Sequence, residues 1–383
     1  MTNSNQGRAW ARIDLSALKS NMARVRQLSP DSKITAVIKA NGYGHGVEAI
    51  ARTLSSQSNS VDCFAVATMD EVVALNVLGT GKRILLLQGY SDASQLRYLT
   101  EAGVEFVLHA DYQLALLKAE LLKNNRCGNL TVWLKFDTGM NRLGFCEAEF
   151  KQAFSFLHSS DKIGKIILMS HLACADKPNS QKSVDNTNKQ VSRFKQMISD
   201  LGVADDDRVE MSLAASAGIL SWPKTHYDLV RPGIMLYGGS PFADTSGADL
   251  GLEPVMTLCA RLIAIKDILA GGSIGYSGTY TCDRDTRIGV VSIGYGDGYP
   301  RAAPNGTPVL VKGGDGYCRT PLLGRVSMDM ITIDLSNFDN VSVGDEVVLW
   351  GDGLPADEVA KLAGTISYEL FCQVTQRVHF IYS

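Results

Sequence analysis

The chain has 383 residues, 45% hydrophobic and 20% charged, with 37 Lys and Arg against 40 Asp and Glu for a formal net charge of -3. That composition fits a globular protein of two domains, or one barrel with an appendage, and excludes a disordered or fibrous chain. It lacks the basic excess that a phosphate backbone or an anionic membrane requires, so the expected partner is a small molecule, with no nucleic acid and no membrane.

The opening stretch, residues 1–7, is polar and has neither the cationic start nor the apolar core of a secretion signal. No apolar run approaches the ~20 residues needed to cross a bilayer. The eight cysteines, at 63, 127, 146, 174, 259, 282, 318 and 372, form no CxxC pair and no zinc-ligand spacing. This pattern predicts reduced thiols in a cytoplasmic protein, without disulfides or structural metal.

From residue 34 to residue 238 short aliphatic runs alternate with longer segments of helical period. The predicted strands are Ile34 to Ala40, Cys63 to Thr68, Arg83 to Gln88, Phe106 to His109, Leu130 to Phe136, Ile166 to His171, Val209 to Ala215 and Ile234 to Tyr237. Helical segments lie between them, such as Asp111 to Lys123, which opens on an acidic cap, and Asn186 to Leu201. Eight βα units within the ~250 residues of a closed barrel point to an N-terminal (β/α)8 TIM-type barrel, with an open doubly wound sheet as the alternative.

Beyond about residue 245 short strands alternate with glycine-rich turns, as in VVSIGYGDGYP, TPVLVKGGDGYC and VSVGDEVVLWGDG, the pattern of an antiparallel β domain. The expected division is residues 1–245 and 246–383, with the boundary loop at Ser240 to Leu252 and the first ~10 residues packing with the second domain. The GGDG and GDG pieces lack the following Lys-Ser/Thr and helix of a phosphate loop and read as hairpin turns.

The densest chemical signal ends the first barrel strand: Val37-Ile38-Lys39-Ala40-Asn41-Gly42-Tyr43-Gly44-His45-Gly46. Taken alone, Lys39 reads as a solvated rim cation. A lysine at the C-terminal end of a barrel strand points toward the mouth, however, where desolvation lowers its pKa and frees the amine as a nucleophile or base. The clustered glycines indicate tight curvature around a ligand, and Tyr43 adds a hydroxyl beside it.

This segment resembles the cofactor-binding lysine motif of the alanine racemases. The similarity continues in order through LKFDTGMNRLG (134–144), MSHLACAD (169–176), LAASAG (213–218), RPGIMLYG (231–238), IGYSGTY (274–280), GYGDGYPRA (294–302), GRVSMDM (324–330) and SYEL (367–370). The resemblance implies a barrel enzyme with pyridoxal 5'-phosphate held covalently by Lys39, followed by a C-terminal, mostly antiparallel β domain. It implies interconversion of L- and D-alanine, supplying D-alanine for peptidoglycan or running in the catabolic direction. It also implies a homodimer in which each β domain completes the partner's active site.

The resemblance assigns roles to individual residues. Lys39 and Tyr276 are the two acid/base groups, one for each face of the substrate, and Tyr276 acts from the partner subunit. A phenol with its usual pKa near ~10 needs electrostatic help to act as a base at neutral pH; the implied help is a hydrogen-bonded chain from Tyr276 to His171 to Arg231. Arg231 faces the pyridine nitrogen, which must then accept and stay unprotonated, weakening the ring as an electron sink and disfavouring transamination.

Phosphate contacts fall to Tyr43, Ser216, Gly233, Ile234 and Tyr368. Many relatives carry Asn before the serine, where this chain has Ala215. Arg142 is implied to reach the substrate carboxylate and the cofactor's phenolic oxygen, with the backbone N–H of Met328 from the partner chain as a second donor. Lys135, a second cation seven residues earlier on the fifth strand, is implied to be carbamylated, which would make it an anion that orients Arg142. Tyr295, Arg301 and Arg325 line the implied entrance. A broad-specificity or serine racemase remains the alternative within the fold, and the non-enzymatic pyridoxal-phosphate homeostasis proteins lack the β domain and Tyr276.

Overall fold

A computed structural model describes residues 7–56, 61–123, 128–313 and 316–383. Cys127, the N-terminal stretch before Gly7 and the two central residues of the turn at 313–316 lie outside the described residues. The chain divides into two compact units, one of Met22–Gly42 and Val47–Gly233, the other of Met1–Asn21, Tyr43–Gly46 and Ile234–Ser383.

Strand β1 (Ala9–Ile13) belongs to the second unit. The first unit contains β2 (Lys33–Val37), β3 (Cys63–Val66), β4 (Arg83–Leu86), β5 (Glu105–Leu108), β6 (Leu130–Lys135), β7 (Ile163–Met169), β8 (Val209–Ser212) and β9 (Leu229–Val230). They pair in parallel in the order β8-β7-β6-β5-β4-β3-β2-β9. A bridge between Ala215 and Arg231 and a Ser212 Oγ hydrogen bond to Leu229 O, 2.8 Å, join the two ends. The sheet is therefore a closed barrel and not an open doubly wound sheet.

Its strands are near-continuous apolar runs because both faces are covered: every residue of β3 and β5 is buried. The outer helices carry their own start signals. Thr68 caps the helix Met69–Leu78 in a reciprocal box with Glu71, and Asp92 accepts from Ser94 and Gln95 at the start of Ala93–Glu101. The helix Gln181–Leu201 buries Thr187, Gln190, Val191, Phe194 and Met197, a stripe at helical spacing.

One expected strand is wrong. The eighth is Leu229–Val230, and Ile234–Tyr237 forms a buried 3-10 turn. Pro232 carries no N–H for a ladder and Gly233 gives it no side chain to pack, so strand pairing ends at Arg231. The apolar run IMLY is equally compatible with a buried turn, which periodicity over four residues does not discriminate. The first strand likewise stops at Val37, short of the expected Ala40, because the backbone turns left-handed at Ala40.

The second unit is a mostly antiparallel sheet built from β1 with β10 (Met256–Ile268), β11 (Ser273–Ile274), β12 (Tyr280–Thr281), β13 (Thr286–Val291), β14 (Pro308–Gly313), β15 (Gly316–Leu323), β16 (Ile331–Asp334), β17 (Glu346–Trp350) and β18 (His379–Tyr382). The main sheet runs β13-β16-β15-β14-β17-β10-β1-β18, and β13 also pairs with β10, so six of its strands close on themselves. Thirteen-residue β10 makes this possible by pairing with β1 through Met256–Ala260 and with β13 through Leu262–Ile268. Gly351-Asp352-Gly353 is a tight turn bridged from Gly351 to Leu354, as its sequence predicts. Among the described residues, no helix is long and apolar enough to cross a membrane.

Candidate active site

Lys39 follows β2 at the C-terminal end of the barrel strands, and the backbone beyond it is strained. Ala40, Asn41, Gly42, Tyr43, Gly44 and Gly46 all have positive φ, with Ala40 at φ 52° and ψ 51°. For Ala, Asn and Tyr this region costs of order ~1 kcal/mol each, so something must hold it. Ala40 N donates to Glu71 Oε1 at 2.6 Å, Gly42 N to Ile38 O at 2.9 Å, and Val47 N to Asn41 Oδ1 at 2.9 Å. Glu71 thus serves both its own helix cap and the turn that presents Lys39.

Four more basic groups gather at the same end of the barrel: Lys135 closes β6, Arg142 lies in the loop after it, His171 follows β7 and Arg231 follows β9. Burial, then repulsion from Arg231 and Arg142, brings the Lys135 ammonium down to about 8. His171 is lowered to about 3 by burial and by the charges of Arg231, Lys135, Arg142 and Lys39, so its imidazole is neutral. Burial also lowers Arg231 to about 10, still protonated at neutral pH. Among the described residues no carboxylate forms an ion pair with Lys39, Lys135, Arg142 or Arg231.

The opposite ends of the same strands provide a contrast. Lys33 pairs with Glu210 at 2.7 Å, Lys165 meets the same carboxylate, and Arg83 pairs with Glu105 at 2.8 Å while Trp133 Nε1 donates to Glu105 at 2.6 Å. Charges that only close a barrel floor come with counter-charges. The mouth carries an excess of positive charge, which is the condition for taking up an anion.

Two features of the mouth are preset. Arg231 is buried and donates to Ser212 Oγ at 2.5 Å, Ser170 O at 2.7 Å and Leu213 O at 3.2 Å, which leaves Nε–H and one Nη1–H for a further acceptor. Ser216, also buried, opens the helix Ser216–Ser221, and its Oγ accepts from Gly233 N at 3.0 Å. Within the second unit, Tyr43 is buried and stacks on Tyr237 with ring centroids 4.8 Å apart, and Tyr368 lies against it at 5.9 Å. Gly44 is confined there: a Cβ would stand 2.1 Å from Phe371 O. Ile234 begins the 3-10 turn of that unit.

The remaining residues singled out in the sequence lie on exposed loops of the second unit. Tyr276, 69% exposed, stands in the turn Tyr276–Gly278 that links β11 to β12, not in a strand. Gly275 runs beside Arg325, with room for a Cβ only 3.3 Å from Arg325 N, and Tyr295 N donates to Ser327 O at 3.1 Å. These contacts gather Tyr276, Tyr295, Arg325 and Met328 on one loop cluster. Arg301 is exposed on the turn after Tyr299 and has no hydrogen bond or ion pair to that cluster.

Sequence reasoning did not reach Glu71, Ser170 or Ser212. The first shows only as the fourth residue of a Thr-x-x-Glu capping box, and the two serines carry no local signal of the arginine they hold.

These features define a class: a (β/α)8-barrel enzyme with a cationic mouth suited to a small anionic ligand, followed by a β unit. Two family models cover nearly all of the chain, "Alanine racemase, N-terminal domain" over residues 13–241 and "Alanine racemase, C-terminal domain" over residues 255–382. The chain is 45% identical to the alanine racemases of Aliivibrio salmonicida and Vibrio cholerae, over 98% of its length and 99% and 98% of theirs. Among solved structures it is similar to the biosynthetic alanine racemase of Pseudomonas aeruginosa, with 42% identity, a TM-score of 0.89 and coverage of 98% and 99% of the two chains. It also matches the Bartonella henselae alanine racemase described with covalently bound pyridoxal phosphate, at 28% identity and a TM-score of 0.86 over 98% and 100% of the chains. The chain belongs to the alanine racemase family.

Proposed function

We propose that the protein interconverts L- and D-alanine with pyridoxal 5'-phosphate, in the cytoplasm, as a homodimer that supplies D-alanine for peptidoglycan. The observation that carries this reading is the set of cations around Lys39 that, among the described residues, have no ion-paired carboxylate and only the Asp137 charge acting on Lys135. A cofactor phosphate, its phenolic oxygen and a substrate carboxylate would supply the anions that balance this excess of positive charge. The donors present therefore fit the group.

When bound, the cofactor supplies the electron sink that acidifies the substrate's Cα–H. Ser216 Oγ, which already accepts from Gly233 N, would donate its own hydrogen to the cofactor phosphate, and the N–H groups of Gly233 and Ile234 and the hydroxyls of Tyr43 and Tyr368 are the further donors that the family resemblance assigns to that phosphate. Arg231, whose guanidinium is already fixed by three acceptors, has N–H groups left that would donate to the cofactor's pyridine nitrogen and so keep that nitrogen unprotonated. Arg142 and, from the second chain of the dimer, the N–H of Met328 would orient the substrate carboxylate.

Lys39 Nζ then takes or returns the Cα proton on one face and the Tyr276 hydroxyl of the partner subunit does so on the other. Neutral His171 enters the relay from Tyr276 to Arg231 as a hydrogen-bonding group without charge. The exposure of Tyr276 supports its use by a second chain, since an acid/base group in bulk water cannot control a proton at Cα. Exposed Met328, Met330, Tyr295 and Ile366 on the same unit add the apolar surface that such an interface buries.

Lys135, with its ammonium at about 8, has a substantial neutral fraction at mildly alkaline pH. Its amine attacks CO2, forming an N-carboxylate and releasing a proton, and the resulting anion offsets Arg142. The central test is to incubate the purified protein with L-alanine and the cofactor and measure D-alanine. Lys39→Ala should abolish both turnover and the covalent cofactor absorbance, and racemisation by that variant without added amine would sink the mechanism.

A further inference from the structure

Asp297, in the turn that presents Tyr295, is a carboxylate that the proposed chemistry does not use. Its side chain has 0% exposure, and it is held from both ends of the chain. Arg8 reaches both carboxylate oxygens, one at 3.2 Å, and also donates to Ser292 O at 3.0 Å. Arg377 approaches with Nε at 3.2 Å and continues to the carboxylate of Asp329. Gly294 N donates to Asp297 Oδ2 at 3.0 Å. Two arginines and two aspartates thus form a neutral chain, which is what a buried charge requires.

The turn that this carboxylate fixes lies directly on the segment carrying Met328. Tyr295 N donates to Ser327 O at 3.1 Å and Gly296 N to Met328 O at 2.8 Å. Gly294 is pressed so close that a Cβ would stand 2.3 Å from Ser327 O. Because a peptide unit is planar and trans, the C=O of Ser327 and the N–H of Met328 point in opposite directions from one rigid plate. Pinning that carbonyl with Tyr295 N–H therefore aims the Met328 N–H outward.

We infer that Asp297 is a positioning residue: clamped by Arg8 and Arg377, it fixes the turn that orients the Ser327–Met328 peptide as a donor for the substrate carboxylate. This rests on the role proposed for Met328. The anchor itself, however, has a readout independent of turnover.

The experiment compares the holoenzyme with Asp297→Asn and Arg377→Gln, using alanine kinetics in both directions, cofactor absorbance, and amide hydrogen exchange over residues 294–299 and 327–330. The expected result is retained cofactor with exchange of those amides accelerated at least tenfold. KM for both enantiomers should rise about tenfold with kcat changed less than about twofold, the signature of weakened uniform binding. Arg377→Gln, altered at a partly exposed group, should give a smaller rise in KM that Arg377→Lys reverses.

Unchanged exchange and unchanged KM in folded Asp297→Asn would overturn the inference. So would a loss of kcat, cofactor and thermal stability together without a KM effect in Arg377→Gln, because that marks a role in global folding alone. Accelerated exchange in a protein whose wild type does not racemise alanine would support the anchor and overturn only the functional reading.

Discussion

His171 stays neutral down to about pH 3 because the fold surrounds it with protein and with four cations. The unfolded imidazole binds a proton near its ordinary pKa of ~6.5, so between that pH and about 3 the unfolded state holds more protons than the folded one. Stability from this group is therefore present above pH 6.5 and lost as pH falls. Its contribution to the slope should approach ~1.4 kcal/mol per pH unit. Urea titrations at pH 7, 6 and 5 should show His171→Gln losing stability less steeply than wild type, and parallel curves would remove the assignment. Lys135 is depressed in the same sense: its folded-state ammonium loses its proton at about 8, so burial of this lysine destabilises the fold at neutral pH and the penalty fades as pH rises toward the unfolded value. Labelled bicarbonate should give a carbamate resonance that Lys135→Met abolishes; its absence in wild type at pH 8 would leave Arg142 without the proposed anion.

The element that distinguishes this barrel is the left-handed turn after β2. Ala40 is exposed at φ 52°, where glycine is comfortable and alanine is not. Ala40→Gly should stabilise the protein by about 0.5–1 kcal/mol in chemical denaturation, the relief of left-handed strain less the added entropy of the unfolded chain. Gly44→Ala should do the reverse by more, since its Cβ would collide with a backbone carbonyl that cannot swing aside. Glu71 is the support for the same turn. Glu71→Gln keeps its shape but weakens its acceptance from Ala40 N, Ala67 N and Thr68 N. It should lower kcat by misplacing Lys39 while leaving the helix Met69–Leu78 formed by circular dichroism; an unchanged kcat would separate the turn from catalysis.

At the scale of the molecule the question is which chain completes which site. If Lys39 and Tyr276 act across a dimer, inactive Lys39→Ala and crippled Tyr276→Phe protomers should restore activity when mixed and re-associated, because one site of each heterodimer regains both groups. A site assembled within one chain would gain nothing from mixing. Tyr276→Phe alone should cost about 10²–10⁴-fold in rate, the usual worth of a positioned acid/base group, in both directions. Retention of full rates in both directions would rule out the two-base version.

The amino-acid sequence by itself determined the alternation of apolar runs and amphipathic segments that makes a parallel barrel, because burial on both faces writes itself as continuous β-branched and aliphatic stretches. It also placed Lys39 and His171 at predicted strand ends, while Arg142 and Arg231 were marked only by the family motifs around them, MNRLG and RPGIMLYG, which are local in sequence. What it could not specify were contacts between residues far apart in the chain: the Ser170 and Ser212 acceptors that fix Arg231, the Glu71 carboxylate under the Ala40 turn, or Arg8 and Arg377 converging on Asp297. Nor could four apolar residues after Pro232 reveal that the eighth strand had already ended. Period and composition act over a few residues and are legible in order. The depressed pKa values, the strained turn and the counter-charges arise only when folding brings separated segments within a few ångströms, where desolvation and Coulomb energy depend on three-dimensional neighbours.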